Sequence, residues 1–254
     1  MQRVSAARLL CDRSVRSPQF WLTQQTYVCV RGSYFALLDL ANDRYFAIPI
    51  EEGRLLTKLV HGWPCPGADS VPIELSGEAG LAVATQLLGL DVLTTHASAG
   101  KDATPIRMAL PTANLEIESA ANPRARTRHA VALAIATISA ARLRRRPISI
   151  AVRELAHRRD RELHASGDNF DLLMTQKLVG IFHQLRPYFF TSQNKCLFDS
   201  LALIEFLRRF GIFPCWVFGV QLAPFAAHCW VQQGCVVLND TTENVRQYTP
   251  IMAA

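Results

Sequence analysis

Three residues toward the C-terminus, Cys196, His228 and Asp240, have the types and order of a thiol acyl-transfer site. In such a site a thiolate attacks a carbonyl, an imidazole moves the proton, and a carboxylate orients the imidazole. Cys196 opens a run with Leu197, Leu201, Ile204, Phe206 and Leu207 near helical spacing, ending at Arg208, Arg209 and Gly211. Basic residues in a last turn and glycine at the stop are helix-end signals, so the cysteine falls in the first turn. There the unpaired N–H groups and the positive end of the helix dipole favour a thiolate, the reactive form. Lys195 adds a nearby positive charge. The Cys196 backbone N–H is a candidate oxyanion donor, with Gln193 or Asn194 as an assisting side chain.

After Gly211 the chain reads as strands: Cys215–Val220, then His228–Gln232, a turn at Gln233-Gly234, and Cys235–Leu238. Pairing about that turn sets His228 opposite Asn239, one step from Asp240, where a carboxylate reaches the imidazole. Neighbouring strand residues alternate in direction, so Cys229 is expected to point away from the site. Two plainer readings compete. Cys196 is a buried thiol and His228 a satisfied core histidine, or Cys215, His228, Cys229 and Cys235 hold a metal. The metal reading lacks any short chelating spacing.

These residues must be held by the rest of a 254-residue chain, of which half is apolar and 19% charged, enough for a large domain or two small ones. The longest apolar stretch, Ala130–Ala141, is too short to span a bilayer and runs into Arg142, Arg144, Arg145 and Arg146. The N-terminus lacks the sustained apolar core of a secretory signal, so a cytoplasmic location is expected. Seven cysteines without a CxxC pair read as free thiols. The net charge of +6 is concentrated in residues 101–165, with thirteen Lys or Arg against six Asp or Glu. That belt suits nucleic acid, a membrane surface, nucleotide phosphates or an acidic peptide, or is a solvated helical face.

Residues 1–25 read as a lead-in, followed by strands over Thr26–Val30, Tyr34–Leu40 and Arg44–Ile48 that form a small antiparallel meander. Helices are expected over Glu51–Val60 and from Ser76 to about Leu88. Residues 96–125 read as a linker between a module at 1–95 and a domain at 126–254. Further helices are expected over Arg128–Leu143, Ile150–His164 and Asp171–Leu185. His129, His157, His164 and His183 lie in them and read as surface or packing residues.

The stretch YFALLDLANDRYFAI and the helix after it resemble the small winged-helix domains that bind leader peptides of ribosomally made, modified peptides, related to the pyrroloquinoline-quinone biosynthesis chaperone. The resemblance implies that a leader adds as a strand beside Arg44–Ile48 and packs on the last helix. Arg44, Tyr45, Phe46 and Leu87 are then its contacts.

Cys-Leu at a helix start, PFAAHCWV and VVLND together resemble the leader peptidase of lasso-peptide biosynthesis, the transglutaminase-like B protein, in its fused form. The resemblance implies an α+β chain: a winged-helix-like module, then a papain/transglutaminase-like domain with helices before a C-terminal antiparallel sheet. Its catalytic residues fall on Cys196, His228 and Asp240. It also implies a precursor peptide and an asparagine-synthetase-like macrocyclase as partners. ATP coupling belongs to the family, yet no phosphate-binding loop is present, so no cofactor is expected in this chain. Two rivals stand beside it. An amine acyltransferase would use the same triad, and a non-catalytic protein would bind peptide or nucleic acid. No basic recognition helix lies in residues 26–90, which argues against nucleic acid.

Overall fold

The computed structural model describes residues 19–66, 77–115, 124–166, 171–190 and 196–254. In chain order the first elements are β1 (Trp21–Thr23), β2 (Thr26–Arg31), β3 (Tyr34–Asp39), β4 (Arg44–Pro49), α1 (Ile50–Arg54) and α2 (Glu78–Gly89). Short strands β5 (Leu93–Thr94), β6 (Gly100–Lys101) and β7 (Ala113–Asn114) come next. The helices α3 (Thr127–Arg144), α4 (Ile148–Ser166), α5 (Leu172–Leu185) and α6 (Cys196–Arg208) lead to β8 (Cys215–Leu222), β9 (Phe225–Gln233) and β10 (Val236–Val237). Helix α7 (Thr242–Val245) and β11 (Thr249–Ala253) complete the order. The fold is mixed α/β with small antiparallel sheets and a C-terminal sheet. No described helix is long and apolar enough to cross a membrane.

The chain divides into two compact units. One holds residues up to Gln24 and Ile50–Thr104, and the other holds Gln25–Pro49 and Pro105–Ala254. The first unit carries a three-stranded antiparallel sheet in the order β5-β1-β6, with Leu22 facing Leu93 on one side and Lys101 on the other. Its α2 is packed so closely on the turn after α1 that a Cβ at Gly80 would lie 2.9 Å from the Leu55 carbonyl oxygen. The expected helix over Glu51–Val60 stops at Arg54 and continues as turns, and β1 forms inside the stretch read as a lead-in.

The second unit is organised on a five-stranded sheet, order β11-β8-β9-β10-β7, and the helices α3, α5 and α6. Strands β8 and β9 pair from Cys215↔Gln232 to Leu222↔Phe225. Alternation then sorts their side chains. Trp216, Phe218 and Val220 share a face with Cys229 and Val231 and join the core with α6, whereas Val217 and Trp230 form a second cluster with Val237 and Val245. The meander β2-β3-β4 belongs to this unit, and Cys29, Ala36 and Leu38 enter the same core. The sequence boundaries had grouped the meander with the helices of residues 1–95. Its apolar alternation is satisfied by whichever core it meets, so pattern alone does not assign it. Part of the stretch read as a linker is also structural: β7 pairs in parallel with β10, and Gln232 donates to the Ala109 carbonyl at 2.9 Å.

Phe206 is fully buried in α6, with its ring 5.7 Å from Phe182 and 5.2 Å from Phe210. Deleting such a ring leaves a cavity as well as a lost transfer term. Phe206→Ala is expected to destabilise the second unit by about 3–5 kcal/mol, seen as a lowered midpoint in urea unfolding. The buried Glu205 beside it is matched by Arg158 at 3.3 Å and Arg208 at 3.0 Å, so α6 carries a paired charge rather than an isolated one.

Candidate functional site

Cys196 is the first residue of α6 and His228 lies in mid-β9, and α6 packs against β9. The turn between β9 and β10 is Gly234-Cys235, with Gly234 at φ +56°, a conformation that suits glycine at the first place of a two-residue hairpin loop. Val236 therefore faces Gln233 and Val237 faces Gln232, two residues out of step with the sequence pairing. His228 does not meet Asp240 across a ladder. The chain leaves the sheet after Leu238, whose N–H still donates to the Val231 carbonyl at 2.9 Å. Asn239 then accepts the Val231 N–H at 2.8 Å through its own side chain, and Asp240 turns inward. His228 Nε2 meets Asp240 Oδ2 at 2.5 Å.

The early end of β10 also explains where the thiol sits. Along β9, the N–H groups of alternate residues point to the same edge. Val231 uses that edge for Asn239, and two residues earlier the Cys229 N–H bonds to the Cys196 sulfur. The Cys229 thiol reaches the same sulfur, as does the His228 side chain. Ser200, one helical turn after Cys196, places its Oγ 3.5 Å from the Cys229 carbonyl oxygen, so one face of α6 meets Cys229. This corrects the expectation that Cys229 points away. Its side chain does leave the His228 face, but the face it turns to is the one α6 covers. Gln193, Asn194 and Lys195 lie outside the described residues.

The electrostatics follow from these contacts. Hydrogen bonding from the Cys229 thiol, then from His228, holds the Cys196 thiol well below its ordinary value, outweighing the opposing effect of burial. Sharing that proton and lying buried, Cys229 is pushed well above its own ordinary value and is the donor of the pair. Burial lowers the His228 pKa, but the bonds to Asp240 and Cys196 dominate and raise it to about 9. At neutral pH the pair is therefore thiolate and imidazolium. Burial works to raise the Asp240 carboxyl, and His228, the Thr241 N–H at 2.7 Å and Asn244 together hold it below its usual range. With Nε2 engaged by Asp240, Nδ1 is the ring nitrogen left for the sulfur.

Of the supporting residues, only Asn244 carries a signal readable in the sequence. Asn244 Nδ2 donates to both Asp240 oxygens, at 3.0 and 2.9 Å. The His228 ring lies 5.1 Å from Tyr248 and 6.1 Å from Trp230. Gly219 faces His228 across the ladder, and a Cβ there would fall 2.8 Å from the Trp230 ring and 2.9 Å from the Tyr248 Cβ. Asp199 stands in the first turn of α6 but is paired with Arg186 at 2.8 Å, which offsets its effect on the neighbouring thiolate. The signal for Asn244 was its place four residues after Asp240 at a Thr241-capped helix start.

The residues assigned to leader recognition fall in both units, Arg44, Tyr45 and Phe46 on β4 and Leu87 on α2. Arg44 pairs with the buried Asp39 at 2.7 Å and stands 5.5 Å over the Phe46 ring. Tyr45 packs partly buried against the core of the second unit. Leu87 is 4% exposed in α2 of the first unit, so its side chain is a core residue there and not a docking surface. His129 is buried, and its Nδ1 accepts the Arg126 N–H at 3.1 Å, a packing and capping role. The six described cysteines are free thiols, and among the described residues no group of three or more His, Cys, Asp or Glu side chains is arranged for a metal.

Cys229→Ala removes the thiol that donates to the Cys196 sulfur. The acid limb of Cys196 alkylation by iodoacetamide is expected to move toward the ordinary thiol range. Peptide mapping separates the reaction from that of the exposed Cys65 and Cys235.

No curated protein and no solved structure matches the chain. Residues 130–253 match the family model described as Transglutaminase-like superfamily, a span that contains Cys196, His228 and Asp240. The chain carries a transglutaminase-like domain over those residues.

Proposed function

We propose that this chain is a cysteine peptidase that cuts the leader from a ribosomally made precursor, the leader peptidase of lasso-peptide maturation. The observation that carries the catalytic part is the 2.5 Å contact of His228 with Asp240 beside a Cys196 sulfur bonded by His228 and Cys229. Cys196 attacks the carbonyl at the leader–core junction, and the Cys196 N–H at the start of α6 stabilises the oxyanion. The His228 imidazolium gives its proton to the leaving amine, which departs as the N-terminus of the core. Neutral His228 then takes a proton from water, which hydrolyses the thioester and frees the leader carboxylate. Asp240 orients the ring throughout. Nucleophile, base and carboxylate are all side chains of this chain.

Leader recognition is assigned to the meander β2–β4, part of the stretch read as winged-helix-like, through strand addition at β4 with Arg44, Tyr45 and Phe46 as contacts. Support comes from β4, which is an edge strand among the described residues. Tethering by the leader raises the local concentration of the scissile bond. The partners are the precursor and the macrocyclase that uses the freed amine, acting in the cytoplasm. The superfamily match favours one second reading, amine acyl transfer by the same residues. Mass spectrometry of a precursor incubated with the protein separates the two. Hydrolysis gives two fragments whose masses sum to the precursor plus water, whereas transamidation joins an added amine to the acyl fragment. An intact precursor would overturn both.

A further inference from the structure

A second feature of the same unit lies close to Cys196. Between the meander and the tip of the β8–β9 hairpin is a cavity of about 550 Å³. Its walls are aromatic and aliphatic: Tyr34, Tyr45 and Phe46 on one side, Leu222 and Phe225 on the other. Its floor is kept open by small side chains, Ala36 and Ala47, and among the described residues no charged one lines it. Tyr45 and Phe225 meet edge-on with centroids 5.6 Å apart, and Phe225 and Tyr34 stay 57% and 45% exposed. Two large exposed aromatics at the mouth of the cleft leave apolar surface that no described residue covers.

One face of β9 links the cleft to the neighbourhood of the nucleophile. Phe225, Ala227 and Cys229 project from one face of β9, because alternate strand residues share a face. They form a row roughly 13 Å long at about 3.3 Å per residue, leading from the cleft to the thiol that bonds Cys196. Ala227, in the middle of the row, is exposed. Its N–H has the same alternation as those of Cys229 and Val231 and so points to the open edge of β9 where the Cys196 sulfur lies. Tyr45, Leu222 and Cys196 pack on one core cluster. The Tyr45 hydroxyl pKa is raised to about 12, first by burial and then by nearby negative charge, that of Asp43 and of the Cys196 thiolate among it.

The row also fixes which part of a substrate enters. The leaving amine must lie where His228 can protonate it, and His228 projects from the opposite face of β9 to Phe225 and Cys229. The cleft is therefore on the acyl side of the bond. We propose that it is a specificity subsite that takes an aromatic or large aliphatic side chain on the acyl side of the scissile bond. The occupant is uncharged, because a carboxylate or ammonium placed there would lose its hydration without meeting a partner. This rests on the role proposed for Cys196, and although Tyr45 and Phe46 are shared with the proposed leader contacts, it adds a requirement at the scissile bond itself.

The test uses tripeptidyl chloromethyl ketones carrying Phe or Asp at each of the three positions, with the full chain. The sulfur displaces chloride from the methylene carbon, and labelling of Cys196 is read by peptide mapping. Each rate is divided by that of iodoacetamide, a probe too small to use the cleft. At one position or more, Phe is expected to label at least about tenfold faster than Asp, the scale of discrimination an apolar pocket provides. Ala47→Trp, which fills the cleft from an exposed position on β4, is expected to abolish that preference. Phe225→Ala is expected to weaken it and serves if the first variant does not fold. Equal labelling by Phe and Asp at every position, or a preference that survives Ala47→Trp and Phe225→Ala, overturns the subsite and leaves the nucleophile in place. If iodoacetamide does not select Cys196 over the other thiols at neutral pH, the proposed nucleophile falls and the subsite with it.

Discussion

Cys196→Ala is expected to lower precursor cleavage by at least about 10⁴-fold, since a nucleophile that forms a covalent intermediate has no substitute in the site. The substitution removes a small side chain at the first residue of α6, while the Cys229 thiol loses the acceptor it bonds. The unfolding midpoint should move little, because Cys196 is only partly buried. Leader binding is expected to survive, because the contacts assigned to it are on β4. Mass spectrometry reads the first outcome and titration with a fluorescent leader peptide the second. Cleavage persisting in the variant would exclude a thioester on this residue. Simultaneous loss of binding would show that recognition passes through the catalytic cysteine.

Asp240→Ala has the next largest expected effect, a fall in kcat of about 10³- to 10⁴-fold. The carboxylate bonds His228 Nε2 and is itself bonded by Thr241 and both contacts of Asn244. Without it the ring loses its orientation and its imidazolium loses the charge facing it. A structural role alone would lower kcat without moving the pH profile. In the orienting role the alkaline limb moves as well. His228 is raised to about 9 by Asp240 ahead of Cys196, so removing Asp240 should bring that limb down toward the ordinary imidazole range. KM should change less than kcat.

The elements that carry the candidate site are legible where its residues coincide with a helix or strand terminus. Cys196 at the start of α6 followed from the apolar spacing and from Arg208 at the other end, and the helix has those bounds. The meander strands were likewise readable from alternation and turn residues. The approach of Asp240 to His228 was expected for a reason that does not apply. The sequence supports a hairpin but not its register, because Gly234-Cys235 and Gln233-Gly234 are both plausible turns and differ by two residues in pairing. The turn chosen ends β10 early, and this opens the β9 edge to Cys196 and frees Asp240 to bend inward. The direction of Cys229 is not readable from alternation, which says which side chains share a face and not which face a helix covers. β11 went unseen, as its five residues are short and carry Pro250, which is tolerated at the edge of a sheet. The placement of β2–β4 with the C-terminal unit depends on contacts that no local pattern records.

These features converge on one electrostatic claim, that Cys196 and His228 form a thiolate–imidazolium pair at neutral pH. The thiolate requires pH above the lowered Cys196 value, and the imidazolium persists until pH passes about 9. The pH dependence of Cys196 alkylation by iodoacetamide, read by peptide mapping in the wild-type chain and in His228→Ala, measures this directly. In the wild type the rate should already be on a plateau in mild acid, with a further change near 9 as the imidazolium is lost. In His228→Ala the acid limb should shift upward. A wild-type rate that rises in one step near the ordinary thiol value, about 8.5, and is unaltered by His228→Ala would contradict the pair and the acyl-transfer chemistry built on it.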